Sequence, residues 1–196
     1  MAIVLVDAGG TNIGSVRYAL QRLGVDAELT ADAAAIRAAD KVILPGVGAA
    51  GPGMARLHEL GLVGLMRSLT QPVLGVCLGM QLLCTRSAEA EVDCLGLIPA
   101  PVLRLVETPG VRVPHMGWNS LRVKQAHPLL GGLGERDWAY FVHSYAVPVG
   151  DYTLATADYG GEFSAVIAHD NFHGMQFHPE RSAEVGAKLL KNFLAL

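Results

Sequence analysis

Short apolar runs alternate with longer amphipathic segments through the first half of the chain. Ile3 to Val6 is continuously apolar and predicts a buried strand ending at Asp7. Ile13, Val16, Leu20 and Leu23 then fall at helical spacing, and Gly24 closes that helix. Ala27 to Thr30 predicts a second strand and Ala31 to Ala39 a short Ala-rich helix. Lys41-Val42-Ile43-Leu44 predicts a third strand, stopped by Pro45-Gly46-Val47-Gly48. A helix is expected from Gly53 to Leu69, broken near Gly61 and Gly64. Pro72 suits the first position of a fourth strand, Val73 to Val76, and Met80 to Cys84 opens another helix. Strands alternating with helices in this order imply a parallel sheet covered on both faces. Sites in such sheets open at the carboxyl ends of the strands. Asp7, Pro45–Gly48 and Cys77 all fall at such ends, so one crevice can gather them.

After about Pro99 the pattern changes. Val102–Val106, Val111–Val113, Trp118–Val123, Tyr140–Val147, Tyr152–Thr156, Ser164–Ala168 and Gly174–Phe177 read as strands joined by short turns. They predict an antiparallel extension, with some strands returning to the main sheet. A last helix is expected from Ser182 to Leu194, with Ser182 as its N-cap. Glu184 early in that helix and Lys188 and Lys191 late in it complement the helix dipole. The expected class is therefore α/β, a mixed, mostly parallel central sheet with helices on both faces plus an antiparallel part. Without a repeat or linker, residues 1–196 read as one domain.

Composition narrows the function classes. A chain of 196 residues, 51% hydrophobic, is long enough to bury a substantial core. A formal net charge of -3 gives no sign of a nucleic-acid surface. Three cysteines, an odd number, argue against a disulfide framework and for a reducing, cytoplasmic setting. Met1 to Asp7 lacks a basic region and reads as a strand, not a signal peptide, and no apolar run is long enough to span a bilayer.

Candidate chemistry centres on Gly75-Val76-Cys77-Leu78-Gly79 at a strand-to-helix corner. Glycines on both sides of a sharp turn push the central side chain out at its tip, the shape of a nucleophile elbow. The helix start beneath it favours negative charge and hence a thiolate. A core cysteine between two packing glycines fits the same five residues. A cysteine nucleophile needs a base and a group to orient that base. Among seven histidines, His178 stands out in Gln176-Phe177-His178-Pro179-Glu180, where Pro179 fixes the backbone and Glu180 can reach the imidazole. A surface His-Pro turn is the alternative.

Other motifs carry less. Gly9, Gly10 and Gly14 do not make Gly-x-Gly-x-x-Gly, so dinucleotide binding is a weak reading. Cys84 and Cys94 have apolar neighbours and read as core thiols. His169 and His173 are spaced like a helical metal pair, but Asp170-Asn171 between them reads as a hairpin turn, and no metal is expected.

The combination is more specific than its parts. Gly75-Val76-Cys77-Leu78-Gly79-Met80-Gln81 and Phe177-His178-Pro179-Glu180 resemble the paired signatures of class I, triad-type glutamine amidotransferases, and Pro45-Gly46-Val47-Gly48 resembles their oxyanion strand. Pro114-His115-Met116-Gly117-Trp118-Asn119 and Tyr140-Phe141-Val142-His143-Ser144-Tyr145 resemble, more narrowly, the glutaminase subunits of imidazole glycerol phosphate synthases. The Asp7–Asn12 loop fits as well, so the resemblance covers nearly the whole chain.

It implies a flavodoxin-like amidotransferase fold and a glutaminase using Cys77, His178 and Glu180 without a cofactor. Leu78 and Val47–Gly48 would supply the oxyanion donors. Gln81 and Glu89 would meet the substrate's polar head, and backbone groups of His143, Ser144 and Tyr145 its carboxylate. The ammonia has no acceptor on this chain. The implied partner is a (β/α)₈-barrel cyclase subunit in a heterodimer serving histidine biosynthesis, with Asn12, Trp118, Tyr140 and Arg181 at the interface. Arg181 stands where the family often has lysine, which keeps the charge but changes its geometry. Rival readings are a glutaminase feeding pyridoxal phosphate synthesis, a cysteine peptidase, and a non-catalytic α/β stress or binding protein.

Overall fold

A computed structural model describes residues 1–9, 13–134 and 137–196; Asn12, an expected interface residue, lies outside the described residues. The first half alternates: β1 (Ile3–Val6), α1 (Ile13–Arg22), β2 (Glu28–Thr30), α2 (Ala33–Ala38), β3 (Lys41–Gly46). Two helices, α3 (Ala50–Glu59) and α4 (Leu62–Ser68), then lead to β4 (Val73–Cys77) and α5 (Leu78–Leu83). Short strands follow: β5 (Arg86–Ser87), β6 (Val92–Asp93), β7 (Pro101–Arg104), β8 (His115–Ser120) and β9 (Arg122–Val123). The chain ends with β10 (Trp138–His143), β11 (Tyr145–Ala146), β12 (Thr153–Asp158), β13 (Glu162–His169), β14 (Phe172–Met175) and α6 (Ala183–Ala195).

The main sheet runs β2-β1-β3-β4-β14-β13-β12-β9. It is parallel from β2 through β14 and antiparallel beyond, so the expected mixed sheet with an antiparallel part is what forms. A β8–β10 ribbon and a small sheet, β11-β7-β5-β6, complete it. Side-chain alternation sorts the core into two layers. Val4, Val6 and Leu44 pack with α2 to α5, whereas Ile3, Leu5, Ile43 and Leu74 pack with α1 and α6.

The elements depart from expectation where pairing overrides local pattern. Pro45 and Gly46 do not end β3 but continue it, opposite Val76 and Cys77 of β4. Pairing with β1 has already stopped at Ile43, so the missing Pro45 N–H costs no ladder bond. The long helix begins earlier, at Ala50, and breaks at Gly61, whose φ of +67° ends α3; Gly64 sits unbroken inside α4. Val111–Val113 is not a strand and keeps only a bridge from Val111 to Thr108. Trp118–Val123 divides at Leu121, because β8 pairs with β10 and β9 with β12. Tyr140–Val147 likewise divides at Ser144. Asp170 and Asn171 do form the tight turn between β13 and β14.

The passage of α5 across the sheet is one of the tightest contacts among the described residues. A Cβ on Gly75 would lie 2.6 Å from the Gly79 backbone, and one on Gly79 would run into the Leu44 carbonyl oxygen. Only hydrogen fits at either position, so β3, β4 and α5 meet backbone to backbone. Gly79→Ala should therefore destabilise the chain by roughly 3 kcal/mol, the upper part of the usual overpacking range. Chemical denaturation of the purified variant measures this, and an unchanged midpoint would contradict the packing described.

Candidate active site

The carboxyl ends of β3, β4 and β14 lie side by side in the sheet. Each delivers one component to a cavity of about 530 Å³: Val47 and Gly48 after β3, Cys77 at the end of β4, and His178 after β14. Leu78, Gln81, Glu89 and Arg181 line the same cavity, as do His143, Ser144 and Tyr145. Apart from Asn12, the expected site residues outside it are Trp118, Tyr140 and Glu180.

Cys77 sits at φ +54° and ψ −110°, a backbone conformation that costs a residue with a side chain on the order of 1–3 kcal/mol. Burial of all six α5 residues holds it there. Leu78 is the first residue of α5, so its N–H has no acceptor within the helix. Gly48 has a φ of +101°, and a Cβ built on it meets nothing within 4 Å.

His178 arrives by a different route. Its N–H donates to the Tyr140 carbonyl at 2.9 Å, and its carbonyl accepts from Ser182 Oγ at 2.7 Å. Ser182 Oγ in turn accepts from Tyr140 N–H at 2.9 Å. The hydroxyl expected to cap α6 makes no capping bond; it ties the His178 turn to β10 instead. His178 Nδ1 donates to Glu180 Oε1 at 2.9 Å, with both side chains buried. Burial opposes charge on His178, yet hydrogen bonds to Cys77 and Glu180 and their negative charge outweigh it and push its pKa up to about 10. An imidazole so placed keeps its proton at neutral pH beside a sulfur.

Sequence pattern alone does not single out Gln176. It is fully buried, and its Nε2 lies 3.9 Å from Cys77 Sγ while its Oε1 accepts from Gln81 Nε2 at 3.0 Å. The one available signal is its position two residues before His178, since i and i+2 share a face of an extended segment. Gln81 Nε2 also donates to the Tyr145 carbonyl at 3.0 Å. Both amide hydrogens are thus used inside the protein. Glu89 accepts from Ala50 N–H at 2.8 Å, which holds its carboxylate at the cavity wall.

His115 and His143 form a buried pair with ring nitrogens 3.0 Å apart. Burial pushes His115 down to about 4. Burial also pushes His143 down to about 3, assisted by repulsion from His115 and His178 against the opposing bond to the Tyr145 carbonyl. Cys84 and Cys94 are buried free thiols, held protonated by burial. Among the described residues, no group of three or more His, Cys, Asp and Glu side chains could hold a metal, and no helix is long and apolar enough to cross a membrane.

Three interface candidates cluster at the cavity's edge. The half-exposed Trp118 ring packs edge-on against Tyr140, with centroids 5.8 Å apart. The Arg181 guanidinium lies 4.7 Å from the centroid of the same Tyr140 ring, a cation–π contact.

Comparison with known proteins adds the family. The model of the class-I glutamine amidotransferases matches residues 4–196. The imidazole glycerol phosphate synthase subunit HisH of Xanthomonas axonopodis pv. citri is 55% identical over 194 residues, covering 99% of this chain and 97% of that protein. Its counterpart in Xylella fastidiosa strain Temecula1 is 54% identical over the same lengths. A glutamine amidotransferase crystal structure superposes with a TM-score of 0.78 at 20% identity, covering 100% of this chain and 98% of that one. The PurLQS structure from Thermotoga maritima gives 0.74 at 19% identity, covering 99% of this chain and 97% of the matched one. At such identity these two structures speak for the fold, while the matched family model and the full-length relatives place the chain by sequence. The chain belongs to the class-I glutamine amidotransferase family.

Proposed function

We propose that this chain is the glutaminase subunit of an imidazole glycerol phosphate synthase, hydrolysing glutamine to glutamate and passing the ammonia to a cyclase partner. One observation carries the chemistry: Cys77, on a strained elbow, is hydrogen-bonded to a His178 whose other nitrogen is held by buried Glu180. The full-length relatives named as subunits of that synthase support the narrower assignment.

In this reading the thiol proton resides on His178, and the Cys77 thiolate adds to the side-chain amide carbon of glutamine. The carbonyl electron pair moves onto oxygen, which the Leu78 N–H and the Val47–Gly48 segment stabilise; losing one such donor costs about 3–4 kcal/mol of barrier. As the intermediate collapses, the C–N bond breaks and His178 gives its proton to the leaving nitrogen, releasing ammonia and leaving a thioester. His178, now neutral, takes a proton from water as that water attacks the thioester. Collapse of the second intermediate frees glutamate and restores the thiolate–imidazolium pair. No cofactor enters.

Gln81 and Glu89 receive the ammonium end of the substrate. A carboxylate only accepts hydrogen bonds, and the Tyr145 carbonyl is already used by Gln81 and His143, so backbone N–H groups at residues 143–145 serve the carboxylate. The whole chain acts as one amidotransferase domain. Its partner is a (β/α)₈-barrel cyclase that docks on the Trp118–Tyr140–Arg181 cluster, with Asn12 contributing, and the setting is the cytoplasm, in keeping with three free cysteines.

Reconstituted with the cyclase, Cys77→Ala should abolish glutamine-dependent synthesis while synthesis from added ammonium salt persists; loss of both activities would refute the division of labour. Gly48, at φ +101°, has a glycine's backbone latitude, so hydrolysis by the isolated chain should be slow and rise when the liganded cyclase is added. Equal turnover in both cases would sink that coupling. The raised His178 pKa also sets a sign. The stabilisation from its cation is complete below about 6.5 and fades as pH climbs through about 10. Activity that needs the cation should fall on the alkaline side. Glu180→Gln removes one support of that charge, so its alkaline limb should move to lower pH, with kcat reduced on the order of 10²-fold. The pH profiles of kcat and of kcat/KM read the shift and the loss.

A further inference from the structure

Gln81 reaches the cavity with a defined polarity, and the cause can be followed outward into the β8–β10 ribbon. A carbonyl oxygen only accepts, so the 2.8 Å contact between His143 Nδ1 and the Tyr145 oxygen puts the proton on Nδ1. The neutral ring then has a bare Nε2, which accepts from His115 Nδ1 at 3.0 Å. His115 Nε2 is bare in turn and faces Asn119 Nδ2 at 3.5 Å. Asn119 Nδ2 is itself held by the Asp158 carbonyl at 2.8 Å, and its Oδ1 accepts from Ser120 N–H at 2.8 Å, which fixes its own amide orientation. All donors in this row point one way, from Asn119 through His115 and His143 to Tyr145.

The surroundings keep the row neutral and rigid. His115 is stacked on Tyr159 at 4.0 Å and on Phe141 at 4.9 Å, and His143 lies 5.0 Å from Phe163. An aromatic enclosure that disfavours charge on either ring preserves one donor and one acceptor on each. At the inner end, the Tyr145 carbonyl takes His143 and Gln81 together. Gln81, which lines the cavity, spends both amide hydrogens on Tyr145 and Gln176, so the group its amide has left for a ligand is the acceptor Oε1.

We propose that His115 is a positioning residue for glutamine recognition: by donating to His143 it fixes the ring that anchors the Tyr145 carbonyl, and so aims Gln81 as an acceptor for the substrate's ammonium. It touches no substrate, since it lies behind the cavity wall and not on it. The proposal rests on the glutaminase reading, and its test keeps Cys77 intact, with the Cys77→Ala complex run alongside as the control that glutamine use depends on that sulfur.

His115→Phe keeps the ring between Tyr159 and Phe141 but removes the donor. His115→Asn gives up the stacking yet places an N–H donor where Nδ1 stood. In the complex with the cyclase, the Phe variant should raise KM for glutamine about tenfold while kcat changes less than about threefold, as loss of one binding contact predicts. The Asn variant should recover most of that KM although it melts at a lower temperature than wild type. A ¹⁵N spectrum of the histidine-labelled full chain should show His143 protonated on Nδ1 in wild type and in the Asn variant. Overturning results are an Nε2-protonated His143 in wild type, a Phe variant with unaltered KM, or KM values that follow melting temperature across the three proteins. If wild type itself used no glutamine, the glutaminase reading would fall first, and the two failures are distinct.

Discussion

Leu44, Gly75 and Gly79 meet at a distance that leaves no room for a side chain, and the site's geometry follows from that contact. Because α5 must pass over β3 and β4 without a spacer, the chain has to reverse within one residue, and that residue is Cys77. The left-handed backbone at Cys77 is thus imposed from outside and is offset by the complete burial of α5. The same closeness brings the Pro45–Gly48 segment beside the sulfur, since β3 continues through Gly46 only while β4 runs alongside it. One steric condition therefore sets the Cys77 elbow, the helix start and the neighbouring glycine-rich strand end in register.

Within a short radius of that elbow, histidines meet opposite electrostatic fates. His178 has a buried carboxylate on one side and a sulfur on the other, and keeps its proton. His143, buried among rings and a carbonyl, loses it, as does His115. Residue type decides little here: burial strips the proton from His115 and His143, while the sulfur and carboxylate partners of His178 overcome the same penalty. Neutral histidines beside a charged one also spare His178 a buried like-charge neighbour, which would drain the cation that the proposed chemistry uses.

Much of this was legible in the sequence because it rests on short-range rules. The alternation of apolar runs and helical periods gave the parallel half, and Gly-x-Cys-x-Gly with His-Pro-Glu marked the two sides of the cavity. What stayed hidden depends on pairing between distant segments. Nothing local says that β3 should run on through Pro45, since the reason is that β1 has ended and β4 has not. Ser182 reads as a cap because its helix follows, yet Tyr140 and the His178 carbonyl take its hydroxyl. Gln176 and His115 look like ordinary polar residues until the cross-strand partners of each are known.

The buried thiols carry a practical corollary. Cys84, buried at the end of α5, is held protonated by that burial, and burial lifts Cys94 to about 11, so neither offers an anion at neutral pH. Cys77, by contrast, lines a cavity large enough for a small electrophile. Alkylation of the folded chain becomes a count of competent centres, one equivalent consumed per molecule able to react. A glutamine-shaped chloroketone would report on occupancy and a plain haloacetamide on access, with no need to engineer away other cysteines.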